Sequence, residues 1–495
     1  MLDILVIGGG VNGVAIARDA AGRGLKVLLC EKDDLAAHTS SSSTKLIHGG
    51  LRYLEHYEFK LVRESLIERE ILLRAAPHII KPMRFILPYD AGLRPALMLR
   101  TGLFLYDHIG GRKILPKTTK ANLTAGPHAN VLQDRLTFGY EYSDCWVEDA
   151  RLVVLNAIDA EERGAEILTH TACTALTRSG DHWQATLNSS AGGQRDISAK
   201  IIVNAAGPWV DDILDKIYPG RQKHNVRLVK GSHIVTKKLY EGDHCYIFQN
   251  ADNRIIFAIP YEGDYTLVGT TDQSFSGDQN IVEISPEEIT YLCAAASEYF
   301  TKPVTKDDIV WTYAGVRPLY DDHKSDNSTV TRDYVFDLDG GDGKPVVLSI
   351  FGGKLTTHRK LAEHAMAKLA SHLEVNAPAW TKNSHLPGGD IDDADFDRFL
   401  AEVSEQYDWL PAKMLTRLAR YYGTRLPRLI GAAKSVADLG VDFGAGLYQA
   451  EITYLMSHEY ATTAEDILWR RTKLGLHMDS TQKAGVANWV AQQNR

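Results

Sequence analysis

Four consecutive apolar residues, Ile4-Leu5-Val6-Ile7, run directly into the turn Gly8-Gly9-Gly10. A short apolar run halted by glycine reads as a strand. The stretch at about 11–23 reads as a helix and residues 26–30 as a second strand ending in Glu31, so the chain opens with a strand–helix–strand unit. Alternating runs at 230–235, 255–261 and 265–269 predict sheet. Further on, Phe351-Gly352-Gly353-Lys354-Leu355-Thr356-Thr357 precedes an expected helix at 360–369, with two threonines available as caps. After Leu386-Pro387-Gly388-Gly389-Asp390 the β-branched runs stop. Alanine, leucine and charge then recur at helical spacing, as from Ala401 to Arg420, which sets a boundary near residue 388 ahead of a helical C-terminal domain. No internal repeat is visible.

The first turn carries chemistry. Gly8, Gly10 and Gly13 fill the GxGxxG positions between strand and helix. Gly8 allows a tight turn, Gly10 lets backbone approach a pyrophosphate, and Gly13 lets helix and sheet pack closely while the helix N-terminus offers free N–H groups to the anion. Glu31, 18 residues after Gly13, stands where a carboxylate accepts a ribose hydroxyl and repels a 2′-phosphate. This predicts dinucleotide binding, disfavours NADP and leaves FAD and NAD both open. The Ser/Thr-rich run from His38 to Lys45 leads to Gly49-Gly50, and it suits a buried loop whose hydroxyls and amides wrap a cofactor.

Composition narrows the class. With 495 residues, 44% of them hydrophobic, the chain can bury more than one core. Its 55 basic and 63 acidic side chains leave a net charge of −8, which argues against nucleic acid as a partner. Five scattered cysteines without a CxxC pair suggest neither a disulfide framework nor a metal site. The N-terminal apolar run is a strand and not a signal peptide. Runs of about 18 apolar residues are missing, so membrane contact is expected to be superficial.

Several separated motifs resemble the FAD-dependent glycerol-3-phosphate dehydrogenases, within the flavoproteins that include D-amino-acid and sarcosine oxidases. They are Lys45-Leu46-Ile47-His48-Gly49-Gly50-Leu51-Arg52-Tyr53, Glu141-Tyr142-Ser143-Asp144-Cys145-Trp146-Val147, Val203-Asn204-Ala205-Ala206-Gly207-Pro208-Trp209, Lys230-Gly231-Ser232-His233, Gly269-Thr270-Thr271-Asp272, Gly315-Val316-Arg317-Pro318, Thr331-Arg332-Asp333-Tyr334 and the Phe351–Thr357 run. The aerobic bacterial branch is most similar. The resemblance implies an α/β chain with a discontinuous Rossmann-type FAD-binding domain of the D-amino-acid oxidase type (about 1–75, 145–215 and 340–387). It also implies an interleaved mixed-sheet substrate domain (about 76–144 and 216–339) and a helical C-terminal cap (388–495). It implies oxidation of sn-glycerol 3-phosphate to dihydroxyacetone phosphate by hydride transfer to N5 of non-covalent FAD, with a membrane quinone as acceptor. The enzyme would lie on the cytoplasmic face of the cell membrane, held peripherally on anionic lipid, and a homodimer is possible.

Residue by residue, the resemblance and the turn chemistry assign Gly8, Gly10, Asn12, Gly13 and Glu31 to the cofactor. The loop residues Thr39, Ser40, Ser43, Lys45, His48, Gly49 and Leu51 join them. So do Ala172 and Cys173, on a strand resembling the one that meets adenine, and Ala206, Gly207 and Trp209 on the pyrophosphate side. Gly353, Leu355 and Thr356 would lie against the flavin, where a helix N-terminus and Lys354 stabilise an anionic reduced ring. Alcohol oxidation needs a base near the hydroxyl, and a phosphate needs rigid cations. Arg52, Arg317, Arg332 and Lys354 are the candidate cations, an arginine fork being able to hold phosphate bidentately. Tyr53 and Thr270 are further substrate contacts. His233 and His48 are the candidate bases, with His233, Arg317 and Lys354 as the catalytic set. No metal ligand is expected.

Residues 91–117 hold Arg94, Arg100, Arg112, Lys113 and Lys117 against the single acid Asp107, interleaved with Leu97, Met98, Leu99, Leu103, Phe104, Leu105 and Tyr106. Such a segment can lie in the headgroup plane, or form a core helix with snorkelling arginines; the family's habit favours the first. Three rivals share parts of this pattern: a dioxygen-using glycerol-3-phosphate oxidase, a flavin amine oxidase, and a silent FAD-binding membrane adaptor.

Overall fold

A computed structural model describes residues 1–90, 95–221, 225–252, 254–321, 333–374 and 377–493, apart from the His56 side chain. Two sheets and a helical region divide the chain. In the first sheet the strands run in the order Val335–Gly341, Lys344–Phe351, Gln194–Asn204, Leu2–Ile7, Val27–Cys30 and Glu166–Leu168. The last five are mutually parallel, with Ile4 opposite both Val27 and Ile201. The strands Thr171–Ser179 and His182–Ser189 extend it antiparallel from the first half of Gln194–Asn204.

Parallel strands leave both faces to be covered. Ile4 and Val6 pack with the helices Val11–Gly22, Asp149–Glu162 and His358–Leu369, whereas Leu5 and Ile7 pack with Trp183, Leu187 and Ile213 on the other side. That is why the opening run is apolar at every position and does not alternate. The helix expected at 360–369 begins at His358, after a tight turn Leu355–Thr357, and Thr357 makes no side-chain cap.

The second sheet is mixed, its order being Gln273–Ser274, Val226–Lys237, Tyr265–Gly269, Ile255–Tyr261, Cys245–Gln249, Ile80–Pro88, Phe138–Val147 and Leu46–Ile47. Cys245–Gln249 against Ile80–Pro88 is its parallel pair. Ile309–Tyr320 pairs along the length of Val226–Lys237 and carries Arg317 opposite Val229. Residues 46–47 and 145–147 thus lie in this sheet, and Val335–Gly341 in the first.

The helix Ala96–Ile109 is two-faced. Leu99, Leu103 and Tyr106 are buried, so these three, grouped with the lipid-facing residues by sequence alone, instead face the core. Leu97 (75% exposed), Met98 (51%), Phe104 (61%) and Leu105 are open to solvent. Arg94 falls outside the described residues. None of the described helices is long and apolar enough to cross a membrane.

The C-terminal region gathers a core of its own from Ile391 to Val490. Buried ion pairs dock it on the rest: Arg151 with Glu459, and Arg471 with Asp34.

Three buried histidines set a pH limit. Burial above all holds His78 at a pKa of about 3, and His244 and His358 at about 4. An unfolded histidine titrates near about 6.5, so between these values the unfolded chain binds more protons. The stability contributed by the neutral rings is complete above about pH 6.5 and is lost as pH falls toward about 4. The melting temperature is expected to drop between about pH 7 and about pH 5, and less steeply in His78→Gln. A thermal scan at several pH values checks this; parallel curves for parent and variant would count against His78.

Candidate active site

The glycine turn is shaped by close approach. Gly8 has φ +115°, and a Cβ on it would lie 2.5 Å from the Ala205 carbonyl oxygen. A Cβ on Gly13 would overlap the Gly8 carbonyl oxygen. A Cβ on Gly10 would press on Ser40 Oγ at 3.2 Å, and Ser40 Oγ accepts the Val11 N–H at 3.0 Å. Glu31 is fixed by two backbone donors: Gly9 N–H to Oε2 at 2.7 Å and Asp33 N–H to Oε1 at 2.9 Å. Burial nevertheless raises its pKa.

Over this turn opens a cavity of about 330 Å³ where Gly8, Gly10, Glu31, Thr39, Ser40, Ala172, Cys173, Ala206, Gly207 and Trp209 converge. They come from four separate stretches of sequence. Lys32 and Lys216 line it as well, with nothing in their sequence context to mark them. Lys32 Nζ lies 4.3 Å over the Trp209 ring, and the His38 ring is 4.5 Å from it. His38 Nε2 is 2.7 Å from Asp33 Oδ2.

Two expected cofactor residues use their side chains differently. Lys45 Nζ is held by both Asp149 oxygens, at 2.9 and 2.8 Å, and by Ser41 O. Ser43 donates to Asp149 Oδ2 at 2.7 Å. What they can offer a cofactor is backbone. The reason is electrostatic: both members of the Lys45–Asp149 pair are fully buried, and each needs the other. The Gly49 N–H is likewise taken by Tyr106 Oη at 2.7 Å, and Leu51 packs against the second sheet's core.

A second group forms at the turn before His358–Leu369. Asn12 Nδ2 donates to Gly352 O at 3.0 Å, and a Cβ on Gly353, where φ is +104°, would meet the Asn12 side chain at 2.8 Å. Thr356 Oγ1 accepts the His48 N–H at 3.2 Å; Leu355, beside it, packs on the first sheet's core. Lys354 Nζ lies 4.1 Å over the Tyr53 ring and, although buried, has no hydrogen-bond partner among the described residues. Arg52, next to Tyr53, is half-buried.

The third group is on the second sheet. Arg317 donates from Nη2 to Thr270 Oγ1 at 3.2 Å and from Nη1 to Asp272 Oδ1 at 3.3 Å. A side chain at Gly231 would overlap its guanidinium. His233 is buried, its ring stacked 4.7 Å from Tyr313, with Nε2 2.9 Å from Thr44 Oγ1 and Nδ1 without a partner among the described residues. Burial first, then the charges of Arg317 and Lys45, depress its pKa well below the ordinary value. At neutral pH the ring is uncharged and able to take a proton. Thr44 and Tyr313 were not foreseen; an aromatic on an alternating strand looks like core.

Hydrogen bonds to backbone carbonyls link these segments. Thr39 Oγ1 donates to Val316 O at 2.8 Å and Gly352 N–H to Pro318 O at 2.9 Å, so the residues on either side of Arg317 are fastened to the serine loop and to the turn bearing Lys354. Arg332 lies outside the described residues. No cluster of three or more potential metal ligands occurs among those described.

Residues 3–359 match the model for FAD dependent oxidoreductases, and residues 379–493 match the C-terminal domain of alpha-glycerophosphate oxidase. This chain belongs to the FAD-dependent oxidoreductase family, in its glycerol-3-phosphate dehydrogenase group. Its cofactor is FAD. It is 50% identical over 492 residues to a glycerol-3-phosphate dehydrogenase of Pseudomonas aeruginosa, covering 99% of this chain and 95% of that one. It is also 50% identical over 493 residues to the D-erythritol 1-phosphate dehydrogenase of Brucella abortus, covering 99% and 98%. Among solved structures, the glycerol-3-phosphate dehydrogenase from Bacillus halodurans complexed with FAD matches with a TM-score of 0.79 at 29% identity, covering 100% of this chain and 90% of that chain. The turn shaped by Gly8, Gly10 and Gly13, and a Lys354 ammonium without a hydrogen-bond partner among the described residues, fit the cofactor of this FAD-dependent oxidoreductase.

Gly13→Ala should yield protein that purifies without yellow colour, because its Cβ would displace the Gly8 carbonyl that shapes the turn. An absorbance ratio equal to the parent's would show that the turn can give way.

Proposed function

We propose that this chain oxidises sn-glycerol 3-phosphate to dihydroxyacetone phosphate and passes the electrons to a membrane quinone. FAD, when bound, supplies the hydride acceptor. The observation that carries the reading is that Arg317 lies on the strand paired with the one bearing the neutral His233 imidazole, while the next residue, Pro318, is bonded to the turn bearing Lys354, whose ammonium has no hydrogen-bond partner among the described residues. Two cations suit a phosphate dianion better than a lone carboxylate, which disfavours an amine oxidase. In the proposed step Arg317 and Lys354 orient the substrate, with Arg52, Arg332, Tyr53 and Thr270 as further contacts. His233 Nδ1 takes the C2 hydroxyl proton as the C–H bond breaks. Thr44 and Tyr313 hold the ring in place. Loss of the hydroxyl proton and of the C2 hydrogen as hydride together leaves the ketone.

Equal identity to a D-erythritol 1-phosphate dehydrogenase favours a second reading, in which the substrate is the four-carbon polyol phosphate. Anaerobic addition of each compound decides between them: the substrate should bleach the yellow flavin at once. Failure of both to bleach it would sink the proposed activity. Stoichiometric peroxide in air would select an oxidase instead. His233→Ala is expected to lose at least about a hundredfold in turnover, and a loss below about tenfold would exclude it as the base.

For the membrane, the exposed Leu97, Met98, Phe104 and Leu105 are joined by Tyr57 and Phe59, exposed on neighbouring elements that pack on the same helix. Arg100 on the same helix, and Lys113 and Lys117 in the segment after it, are exposed and suit anionic lipid. Replacing Phe104 and Leu105 with glutamate should abolish sedimentation with anionic vesicles while flavin bleaching persists. Continued sedimentation would remove this face as the anchor.

A further inference from the structure

The run Asp466-Ile467-Leu468-Trp469-Arg470-Arg471-Thr472-Lys473 stands more than four hundred residues from the glycine turn and folds back onto it. Residues Asp466–Arg471 wind as a π-helix, a form that recurs at functional sites. Arg471, wholly buried, forks onto Asp34: Nη1 to Oδ2 and Nη2 to Oδ1, both at 2.7 Å. Its Nε donates to Glu459 O at 2.9 Å. Arg470 Nε adds a third bond to Asp34, 2.6 Å from Oδ2. Asp34 is itself 2% exposed.

Asp34 sits in a stretch, residues 31–38, that belongs to no helix or strand. Its neighbours all touch the nucleotide site. Asp33 N–H holds Glu31, Ala36 N–H donates to Gly9 O at 3.3 Å, and the Leu35 side chain fills the space where a Cβ on Gly9 would lie. A second tether runs through His170, whose Nε2 is 2.9 Å from Thr462 Oγ1 and whose N–H donates to Asp33 O at 2.8 Å. The next residue, Thr171, donates its N–H to Glu31 O at 2.7 Å. Trp469 meanwhile stacks 4.7 Å from Trp311, on the strand that carries Tyr313 and Arg317.

We infer that the C-terminal domain is a cofactor clamp, in which Arg470 and Arg471 are positioning residues that hold Asp34, and through it Glu31 and the glycine turn, in the geometry that retains FAD. A loop without regular structure keeps one shape only if outside contacts fix it. Here the fixing contacts are a buried bidentate ion pair, whose rupture leaves an uncompensated charge. The inference rests on the FAD assignment and adds a role for the helical region. Because coupling is reciprocal, bound FAD must in turn steady residues 459–473.

The test is release of FAD from purified holoenzyme, followed by flavin fluorescence. Arg471→Gln should release it at least about tenfold faster than the parent, and Arg471→Lys, which keeps charge without the fork, should fall between. Arg425→Gln is the control: Arg425 docks the same domain onto Glu162, at 2.7 Å, away from Asp34, and its loss should leave release unchanged. At saturating FAD, Arg471→Gln should keep the parent's KM for sn-glycerol 3-phosphate. Equal release from Arg471→Gln and parent overturns the clamp, as does equally fast release from Arg425→Gln. Should Arg471→Gln not fold, hydrogen exchange of the parent with and without FAD decides. Protection of residues 459–473 on loading supports the clamp, and unchanged exchange there overturns it. A parent that binds no FAD would refute the cofactor assignment itself, and the clamp with it.

Discussion

The Lys45–Asp149 pair is the joint on which the two sheets close. Lys45 ends the serine loop and Asp149 begins a helix of the first sheet's core; both are fully buried. Removing two charges from water is costly, and the cost is offset only if every donor and acceptor is used. Here it is. The ammonium contacts both Asp149 oxygens and Ser41 O, and the carboxylate also takes the Ser43 hydroxyl and the Ala150 N–H. Thr44, locked between these residues, reaches His233, while Tyr313 Oη donates to Ser43 O. The loop that frames the nucleotide cavity is thus also the one that positions the candidate base.

Burial comes first in setting the chemistry of that base. It disfavours a protonated His233, and the charges of Arg317 and Lys45 add to the effect. A phosphate dianion brought to Arg317 would offset that repulsion and raise the affinity of the ring for a proton. Substrate binding and proton acceptance would then be linked through one electrostatic field. Lys354, approached from the first sheet, is stabilised meanwhile by the face of Tyr53.

The helical region and the helix Ala96–Ile109 show two uses of apolar residues outside the sheets. The first closes a core of its own and grips the rest through Arg471 on Asp34, Arg425 on Glu162 and its Glu459 on Arg151. The second buries one face and leaves four large apolar side chains on the other, more than a solvated helix face needs.

Local pattern was enough to read the opening strand–helix–strand unit, the glycine turn with Glu31 and the sheet at 255–261 and 265–269. Each rests on short-range sterics and on a periodicity of a few residues. The pattern could not say that Ser43 and Lys45 turn to Asp149, that Leu103 faces inward while Phe104 faces out, or that Thr44 and Tyr313 hold His233. Those outcomes are decided by which distant charge or core each side chain meets, and the partners are up to hundreds of residues away. The pairing of Arg471 with Asp34 makes the same point most fully: an arginine in a charged helical run looks solvated until the fold removes it from water and gives it a buried carboxylate to fork onto.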